Sequence, residues 1–238
     1  MGGARRDRRD PCDARRAGPG RREGLTLLAL ALAVAGGAFG AIADRFAVRW
    51  PEHDDEHPAG RAVGWRTVAS AGIGAFAFYL LGDRFADAEL VVQVLFGLWF
   101  ATLVVGFAID LDQRLLPDEL TLPIIPLALL LDVTGRNPLV GGEVLPAVLV
   151  AVIVPTVLFV ASIPFGAGAF GKGDVKLLVG VGLMSGFLRS FTGLLAGLFA
   201  AGIVLAILLA TRRIGRRTFV PFGPFLIFGA LWGIFVRV

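Results

Sequence analysis

Long apolar runs, separated by short clusters of charged residues, fill the chain from position 25 to its end. The charges are not spread along helical faces but collect between the runs, which is typical of polytopic membrane proteins. No stretch alternates like a barrel strand, and helices satisfy their own backbone groups in lipid. The pattern therefore predicts an all-α, polytopic integral membrane protein.

The apolar runs predict about eight membrane-spanning helices. They cover residues 25–43, 63–81, 90–109, 120–133, 144–163, 175–188, 191–211 and 219–238. A spanning helix needs ~17–25 residues, and the fourth and sixth runs are shorter than that, so we expect seven or eight crossings. No repeat of fixed period and no separate soluble segment is visible, and residues 25–238 are predicted to form one transmembrane domain.

The first 24 residues carry eight arginines and no apolar run, so we expect a disordered tail. Residues 25–43 allow two interpretations. The preceding arginines and the small residues at 41–43 resemble a cleavable signal peptide. The apolar run is nevertheless longer than the usual ~7–15 residues of such a segment, which favours a retained helix.

Composition supports the membrane assignment and narrows the chemistry. The chain is 56% hydrophobic, well above the usual soluble domain, and its net charge of +4 comes from arginines that flank apolar runs. We therefore expect contact with a lipid bilayer and none with nucleic acid. Cys12 is the single cysteine, which excludes a disulfide framework and a cysteine zinc cluster. His53 and His57 have a metal-compatible spacing, but four surrounding acids favour a solvated loop, so no metal is predicted.

Two acids stand at the ends of predicted spans. Asp110 closes the third span and Asp174 opens the sixth, and Asp174 is the only carboxylate after Glu143. Two crossings separate these acids, so both should face the same side of the membrane. Two further crossings lead to the loop TRRIGRR at 211–217, whose four arginines favour the cytoplasm. With eight crossings this choice places the arginine-rich tail outside the cell, against the rule that positive charges stay in the cytoplasm. We give the short loop more weight than the tail.

A pair of membrane carboxylates suggests acid–base chemistry. Two carboxylates within ~3 Å cannot both ionise, so they share a proton near neutral pH. The charged member then acts as a general base on water, and the neutral member protonates a carbonyl oxygen and afterwards a leaving amine. Peptide hydrolysis by this route needs no cofactor. Taken singly, Asp174 also fits a helix cap, and Asp112, Asp118 and Glu119 fit loop or cap positions.

The neighbours of Asp174 have secondary roles in this hypothesis. Gly171 and Gly173 lack a Cβ, which lets the backbone turn sharply and lets a substrate strand approach closely. The helix dipole favours a charged Asp174 in the first turn. Lys176 lies two residues further on, cannot share a helix face with Asp174, and is expected to extend to the membrane interface.

Two segments carry a family resemblance. IDLDQRLLPDELTLP, starting at Ile109, resembles the first catalytic motif of the type IV prepilin peptidases, in which a Pro and then an Asp or Asn follow the aspartate. GKGDVKLL, at 171–178, resembles their second motif, GxGD followed by x-K-L. VPFGPFLIFGA at 220–230 is similar to the last-span motif, and GAFGAIADRFAVRWP at 37–51 is more loosely similar to an N-terminal motif.

The resemblance implies a membrane-embedded aspartic endopeptidase of the GxGD type in the inner membrane. It would cleave the basic leader from type IV prepilins or pseudopilins, which continue into an apolar helix, at the cytoplasmic face. Asp110 and Asp174 match the catalytic aspartates of the family. Gly171, Gly173, Lys176 and Asp118 are the candidate supporting residues.

The chain departs from full-length family members in one respect. Their loop after the first span carries paired CxxC motifs, whereas RFAVRWPEHDDEHPAGRAVGW at 45–65 is short, acidic and free of cysteine. We therefore expect a peptidase-only short form without N-methyltransferase activity. Two other hypotheses stay open: a proton-coupled transporter or channel with paired carboxylates, and a catalytically silent membrane subunit of a pilus or secretion machine.

Overall fold

A computed structural model describes residues 19–52, 60–165, 170–213, 215 and 220–237. In these ranges the chain forms α-helices and one short 3-10 turn, so the all-α prediction is confirmed. The helices are α1 (Pro19–Ala47), α2 (Trp65–Arg84), α3 (Leu90–Gln113), α4 (Asp118–Thr121), α5 (Ile124–Val133), α6 (Val144–Ser162), α7 (Lys172–Ala210) and α8 (Gly223–Phe235), and the 3-10 turn is Ile163–Phe165.

Helix α1 begins earlier than the sequence pattern predicts. It starts at Pro19, six residues before the expected end of the disordered tail, because Pro is well suited to a first helical position and no later residue breaks the helix. Residues 19–24 therefore belong to α1. The remainder of the predicted tail, residues 1–18, lies outside the described residues.

Four helices are long and apolar enough to cross a membrane: Glu23–Ala47 within α1, Leu90–Gln113, Val144–Ser162 and Lys172–Ala210. The predicted span at 120–133 is not one long helix. Pro117 and Pro123 stand at the starts of α4 and α5, where prolines are tolerated but where an incoming helix cannot continue. The ten residues of α5 rise only about 15 Å, half of a ~30 Å hydrocarbon core.

Helix α7 reverses direction within its length. Gly186 has φ 74° and ψ 178°, a conformation that interrupts the helix and that glycine adopts without steric cost. The hydroxyl of Ser190 donates to the carbonyl of Val181 at 3.1 Å, although nine residues of straight helix would rise about 13.5 Å. The chain therefore folds back at Gly186, within the last three residues of the predicted run 175–188 and just before the predicted boundary with the next run.

Glycines let two helix pairs approach closely. A Cβ placed on Gly193 of α7 would lie 2.4 Å from the carbonyl oxygen of Gly229 of α8, and a Cβ on Gly229 would lie 2.3 Å from that of Gly193. Gly36 of α1 and Gly74 of α2 have the same reciprocal relation, at 2.3 and 2.2 Å. Small residues in this arrangement are how helices associate in lipid, where close backbone contact replaces hydrophobic association.

Helix α3 lies at the centre of the molecule. It packs against α1, α2, α4, α5 and α8, and its aromatic side chains Phe96, Trp99 and Phe100 are almost fully buried. Phe85, at the end of α2, stacks on Phe96 with ring centroids 4.1 Å apart. Because α3 is enclosed on several sides, a polar residue near its end is held inside the protein rather than in lipid.

The glycine contact between α7 and α8 gives a test of this packing. We expect Gly229→Ala to destabilise the fold by about 1–3 kcal/mol, because the added methyl group meets a backbone oxygen that cannot move away cheaply. Gly202→Ala is the matched control, since no atom lies within 4 Å of its Cβ position and Ala is the better helix former. Thermal unfolding in detergent should separate the two variants. Equal melting temperatures would contradict the close approach.

Candidate active site

Asp110 lies in the last turn of α3 and is buried, with 4% of its surface exposed. The helix ends three residues later because Arg114 adopts the left-handed conformation, with φ 58°, and its N–H donates to the carbonyl of Asp110. The backbone N–H of Gly223, at the start of α8, donates to the carboxylate of Asp110. Oxygen Oδ2 of Asp110 is buried without a hydrogen-bond partner in the described part of the chain.

Asp174 occupies the first turn of α7, as the sequence pattern predicts. Gly171 stands immediately before the helix in an extended conformation, and its backbone N–H donates to the carboxylate of Asp174. A Cβ on Gly171 would lie 3.1 Å from Oδ2 of Asp174, so the glycine leaves the carboxylate room to fold back over the helix start. Asp174 is only partly buried.

The structure brings Asp110 and Asp174 together, close enough for their charges to repel each other. Leu116 lies between Gly173, next to Asp174, and Gly223, which contacts Asp110. A Cβ on Gly173 would lie 2.8 Å from Cβ of Leu116, and a Cβ on Gly223 would lie 3.3 Å from its Cδ1. The second glycine of GKGD therefore admits the loop after α3, and this loop connects the elements that hold the two acids.

Gly223 is a site residue that the sequence analysis missed. A Cβ there would lie 2.7 Å from Oδ2 and 3.0 Å from Cγ of Asp110, so any side chain would displace the carboxylate. The signal was present in the segment VPFGPFLIFGA, where Gly223 sits between Phe222 and Pro224 at the start of a helix. The similarity of this segment was noted for its family likeness, and no contact with Asp110 was predicted from it.

Lys176 and Asp118 form an ion pair across helices. The ammonium of Lys176 in α7 donates to Oδ1 of Asp118, the first residue of α4. The sequence analysis expects Lys176 to extend to the membrane interface and does not predict this partner. Both side chains remain partly exposed, at 30% and 55%, and an exposed pair of this kind contributes only about 0–1 kcal/mol.

Asp112 belongs to a buried charge network and not to a solvated loop, which corrects its assignment from sequence. Its Oδ1 accepts from Nε of Arg61 at 2.9 Å and from Nη1 of Arg66 at 2.8 Å. Nη2 of Arg61 also donates to Asp44 at 2.5 Å. Asp44 is fully buried and accepts from Thr67 Oγ1 at 2.6 Å. In the sequence, Asp44 lies beside Arg45 at the end of the apolar run 25–43, and this position is the signal that could have identified it.

Arg61 joins the two carboxylates of this network. Burial alone would lower the pKa of its guanidinium, but the hydrogen bonds that it donates to Asp44 and Asp112, together with the charges of these carboxylates, raise that pKa above its ordinary value. Arg61 therefore stays charged at every pH at which the protein is folded, and it is the shared counter-ion of two buried acids.

An apolar groove of about 560 Å³ lies beside Asp110. Phe107 and Arg114, which are three residues before and four after Asp110 on α3, line it, as does Pro224, which follows Gly223. Val204 of α7 and Trp65 of α2 form the facing walls. The groove therefore passes the end of α3 next to Asp110 and continues along the apolar surface between α2 and the second half of α7.

No three His, Cys, Asp or Glu side chains converge to form a metal site within the described residues. His53 and His57, whose spacing suited a metal, and the lone Cys12 lie outside the described residues. The arrangement that the structure does show is a pair of carboxylates, each beside a backbone amide.

Comparison with known proteins agrees with the resemblance drawn from the motifs. Residues 95–210 match the sequence profile of the type IV leader peptidase family. Asp110 and Asp174 both lie within this matched region. No solved structure matches the chain.

Several relatives carry the name prepilin leader peptidase/N-methyltransferase. The protein of Burkholderia pseudomallei is 32% identical over 171 residues, which is 71% of this chain and 52% of the relative. Those of Aeromonas salmonicida and Pseudomonas aeruginosa are 30% and 33% identical, each over 52% of this chain and 44% of the relative. The chain thus spans about half the length of the curated relatives it matches.

The two acids at the end of α3 should respond oppositely to neutralisation. We expect Asp110→Asn to preserve or increase thermal stability, because it removes the repulsion with Asp174 and the cost of burying a charged carboxylate. We expect Asp112→Asn to lower the free energy of unfolding by about 1–3 kcal/mol, since it leaves Arg61 and Arg66 without their shared carboxylate. Melting curves in detergent measure both effects. A loss of stability in Asp110→Asn as large as that in Asp112→Asn would show that Asp110 is a structural acid.

Proposed function

We propose, on the premise that residues 95–210 match the type IV leader peptidase family, that the protein is a membrane-embedded aspartic endopeptidase. Its substrates are type IV prepilins or pseudopilins, from which it removes the basic leader. The observation that carries the proposal is the juxtaposition of Asp110, with its unpartnered buried oxygen, and Asp174. A fold without catalytic work to do has no evident reason to maintain this arrangement.

Water activation by the pair follows from their repulsion. The two carboxylates share one proton, so one is charged and the other neutral. The charged carboxylate removes a proton from a water molecule, whose oxygen attacks the carbonyl carbon of the scissile peptide bond. The neutral carboxyl group donates its proton to the carbonyl oxygen. The tetrahedral intermediate collapses as a proton passes to the amine nitrogen, the C–N bond breaks, and the pair regains its shared proton.

Backbone amides fix the geometry of this reaction. The N–H groups of Gly223 and Gly171 each hold one carboxylate from outside the pair, so the remaining oxygens are free to meet water and substrate. Orientation of this kind lowers the barrier because it is established before the substrate binds. Gly173 leaves room at the same point for the loop that carries Leu116. Lys176 and Asp118 tie α7 to α4 beside the site and have a supporting role.

The proposed substrate has two halves, and the site offers a separate surface for each. Its basic leader is attracted by the negative charge of the dyad, and its apolar helix fits the groove lined by Phe107, Val204 and Pro224. The arginines of the loop at 211–217 favour the cytoplasm, so the two acids face the cytoplasmic side of the inner membrane. This orientation requires two crossings between the acids, which α6 and the pair of α4 and α5 taken together would supply.

Two further activities receive less support. The N-methyltransferase function in the relatives' names is not proposed here, because the loop between α1 and α2 contains none of the CxxC motifs of bifunctional members. A proton-coupled transporter would place its carboxylates near the middle of the membrane. Asp110 and Asp174 instead lie at the ends of their helices.

Substitution of each aspartate tests the proposed reaction. We expect Asp110→Asn and Asp174→Asn each to reduce the rate of prepilin cleavage at least about 10²-fold, because Asn keeps the shape but cannot transfer the proton. Asp83→Asn, at the end of α2, is the matched control and should cleave at the wild-type rate. Gel mobility of a prepilin incubated with purified protein measures cleavage. If either dyad variant cuts as fast as Asp83→Asn, the two-aspartate mechanism is wrong.

A bulky residue in the groove tests the site for the substrate's apolar helix. We expect Val204→Trp to raise KM for a full-length prepilin several-fold, because the indole fills the groove. Ile203→Trp is the matched control, since it is the next residue of α7, is similarly exposed and does not line the groove. A short peptide that spans the cleavage site but lacks the apolar helix should be cut equally by both variants. Equal KM values for full-length prepilin would show that lipid or detergent, and not substrate, fills the groove.

A further inference from the structure

The last turn of α3 makes several polar contacts with other parts of the protein. Asp110, Asp112 and Gln113 are all buried within this turn. Asp112 binds Arg61 and Arg66, and Nε2 of Gln113 donates to the carbonyls of Ala47 at 3.2 Å and Pro51 at 3.3 Å. The turn that carries the candidate catalytic acid is therefore tied to the segment that follows α1.

Within the described residues, Arg61 is the charged side chain that connects α1 with α3. Its Nη2 binds Oδ1 of Asp44 in α1 and its Nε binds Oδ1 of Asp112 in α3. The planar guanidinium has its donors in a fixed fork, so binding two carboxylates at once sets the distance and the angle between them. We call Asp44, Arg61 and Asp112 the α1–α3 clamp.

The α1–α3 clamp contributes little net stability, because its carboxylates are buried. Asp44 is fully buried and Asp112 is 7% exposed, and taking two carboxylates out of water costs much of what their ion pairs return. Apolar side chains of similar volume would hold two helices together at least as well. What an apolar contact cannot supply is a defined orientation, which buried ionic groups provide where a unique register is needed.

We propose that Arg61 is a positioning residue for the reaction: through the α1–α3 clamp it holds the last turn of α3 so that Asp110 meets Asp174. This inference rests on the proposed peptidase function. It assigns to Arg61 a role that no catalytic motif marks, since the residue lies in the loop before α2 and is distant in sequence from both acids.

The test combines kinetics with a direct measurement of geometry. Variants Arg61→Gln, Arg61→Lys and Arg45→Gln are made in the full-length protein. Arg45→Gln is the comparison variant. Arg45 also binds Asp44, and its Nη1 donates to the main-chain carbonyl of Arg61 at 2.9 Å, but the ion pairs of Asp112 are with Arg61 and Arg66. We measure kcat and KM for prepilin cleavage, and in parallel the distance between spin labels on α1 and beyond α3, introduced by Ile42→Cys and Leu115→Cys with Cys12→Ser.

We expect Arg61→Gln to lower kcat about 10–100-fold with little change in KM, because a displaced acid impairs the chemical step and not substrate binding. The spin-label distance distribution should broaden at a temperature where the protein is fully folded. Arg61→Lys should fall between Arg61→Gln and wild type, since one ammonium cannot orient two carboxylates as a fork does. Arg45→Gln should keep a narrow distribution and nearly the wild-type kcat.

Three results would overturn the inference. They are equal kcat values for Arg61→Gln and Arg45→Gln, a kcat of Arg61→Lys equal to that of wild type, and a fall in kcat with no change in the distance distribution. Wild-type protein that cuts no prepilin would instead contradict the proposed function. The distance measurement would then still decide whether Arg61 orients the end of α3.

Discussion

The repulsion between Asp110 and Asp174 is the constraint on which the rest of the structure depends. Two carboxylates at the edge of an apolar interior separate unless the backbone holds them. Asp110 is held by the N–H of Gly223 at the start of α8, and Asp174 by the N–H of Gly171, three residues before it. The surrounding contacts have the same purpose. Leu116 fills the space left by Gly173 and Gly223, and α3 is enclosed by neighbours that prevent its end from moving outward. The repulsion between the two acids destabilises the fold, and the helix packing around α3 offsets this cost.

Much of the fold could be predicted from the sequence because apolar runs of helical length have few alternatives in lipid. The starts of α3 and α6 coincide with the predicted runs, and the reversal at Gly186 falls near the predicted boundary between two spans. The prediction was wrong at 120–133, where hydropathy alone does not show that prolines divide the run into α4 and α5. The prediction of disorder was also wrong for residues 19–24. These residues are charged, but they continue the helix that leads into the first apolar run.

The two acids could be predicted, and most of their environment could not. Asp110 and Asp174 stand out because a carboxylate beside an apolar run is conspicuous in sequence. Gly223 is separated from Asp110 by 113 positions in the printed sequence, and no periodicity connects them. The α1–α3 clamp is hidden for the same reason. Asp44, Arg61 and Asp112 look like ordinary boundary charges until the fold brings them together, and only then do their burial and shared guanidinium become apparent.

The reversal at Gly186 has a consequence for how the topology of this protein is mapped. The chain turns back within α7 by means of one residue, and Ser190 already bonds to Val181 across the turn. No loop exists there that a protease could enter or that could accept an inserted reporter without breaking the turn. Protection and fusion experiments would therefore pass over this pair of helical segments as one. They would return a number of crossings that is too small, while every individual result remained correct.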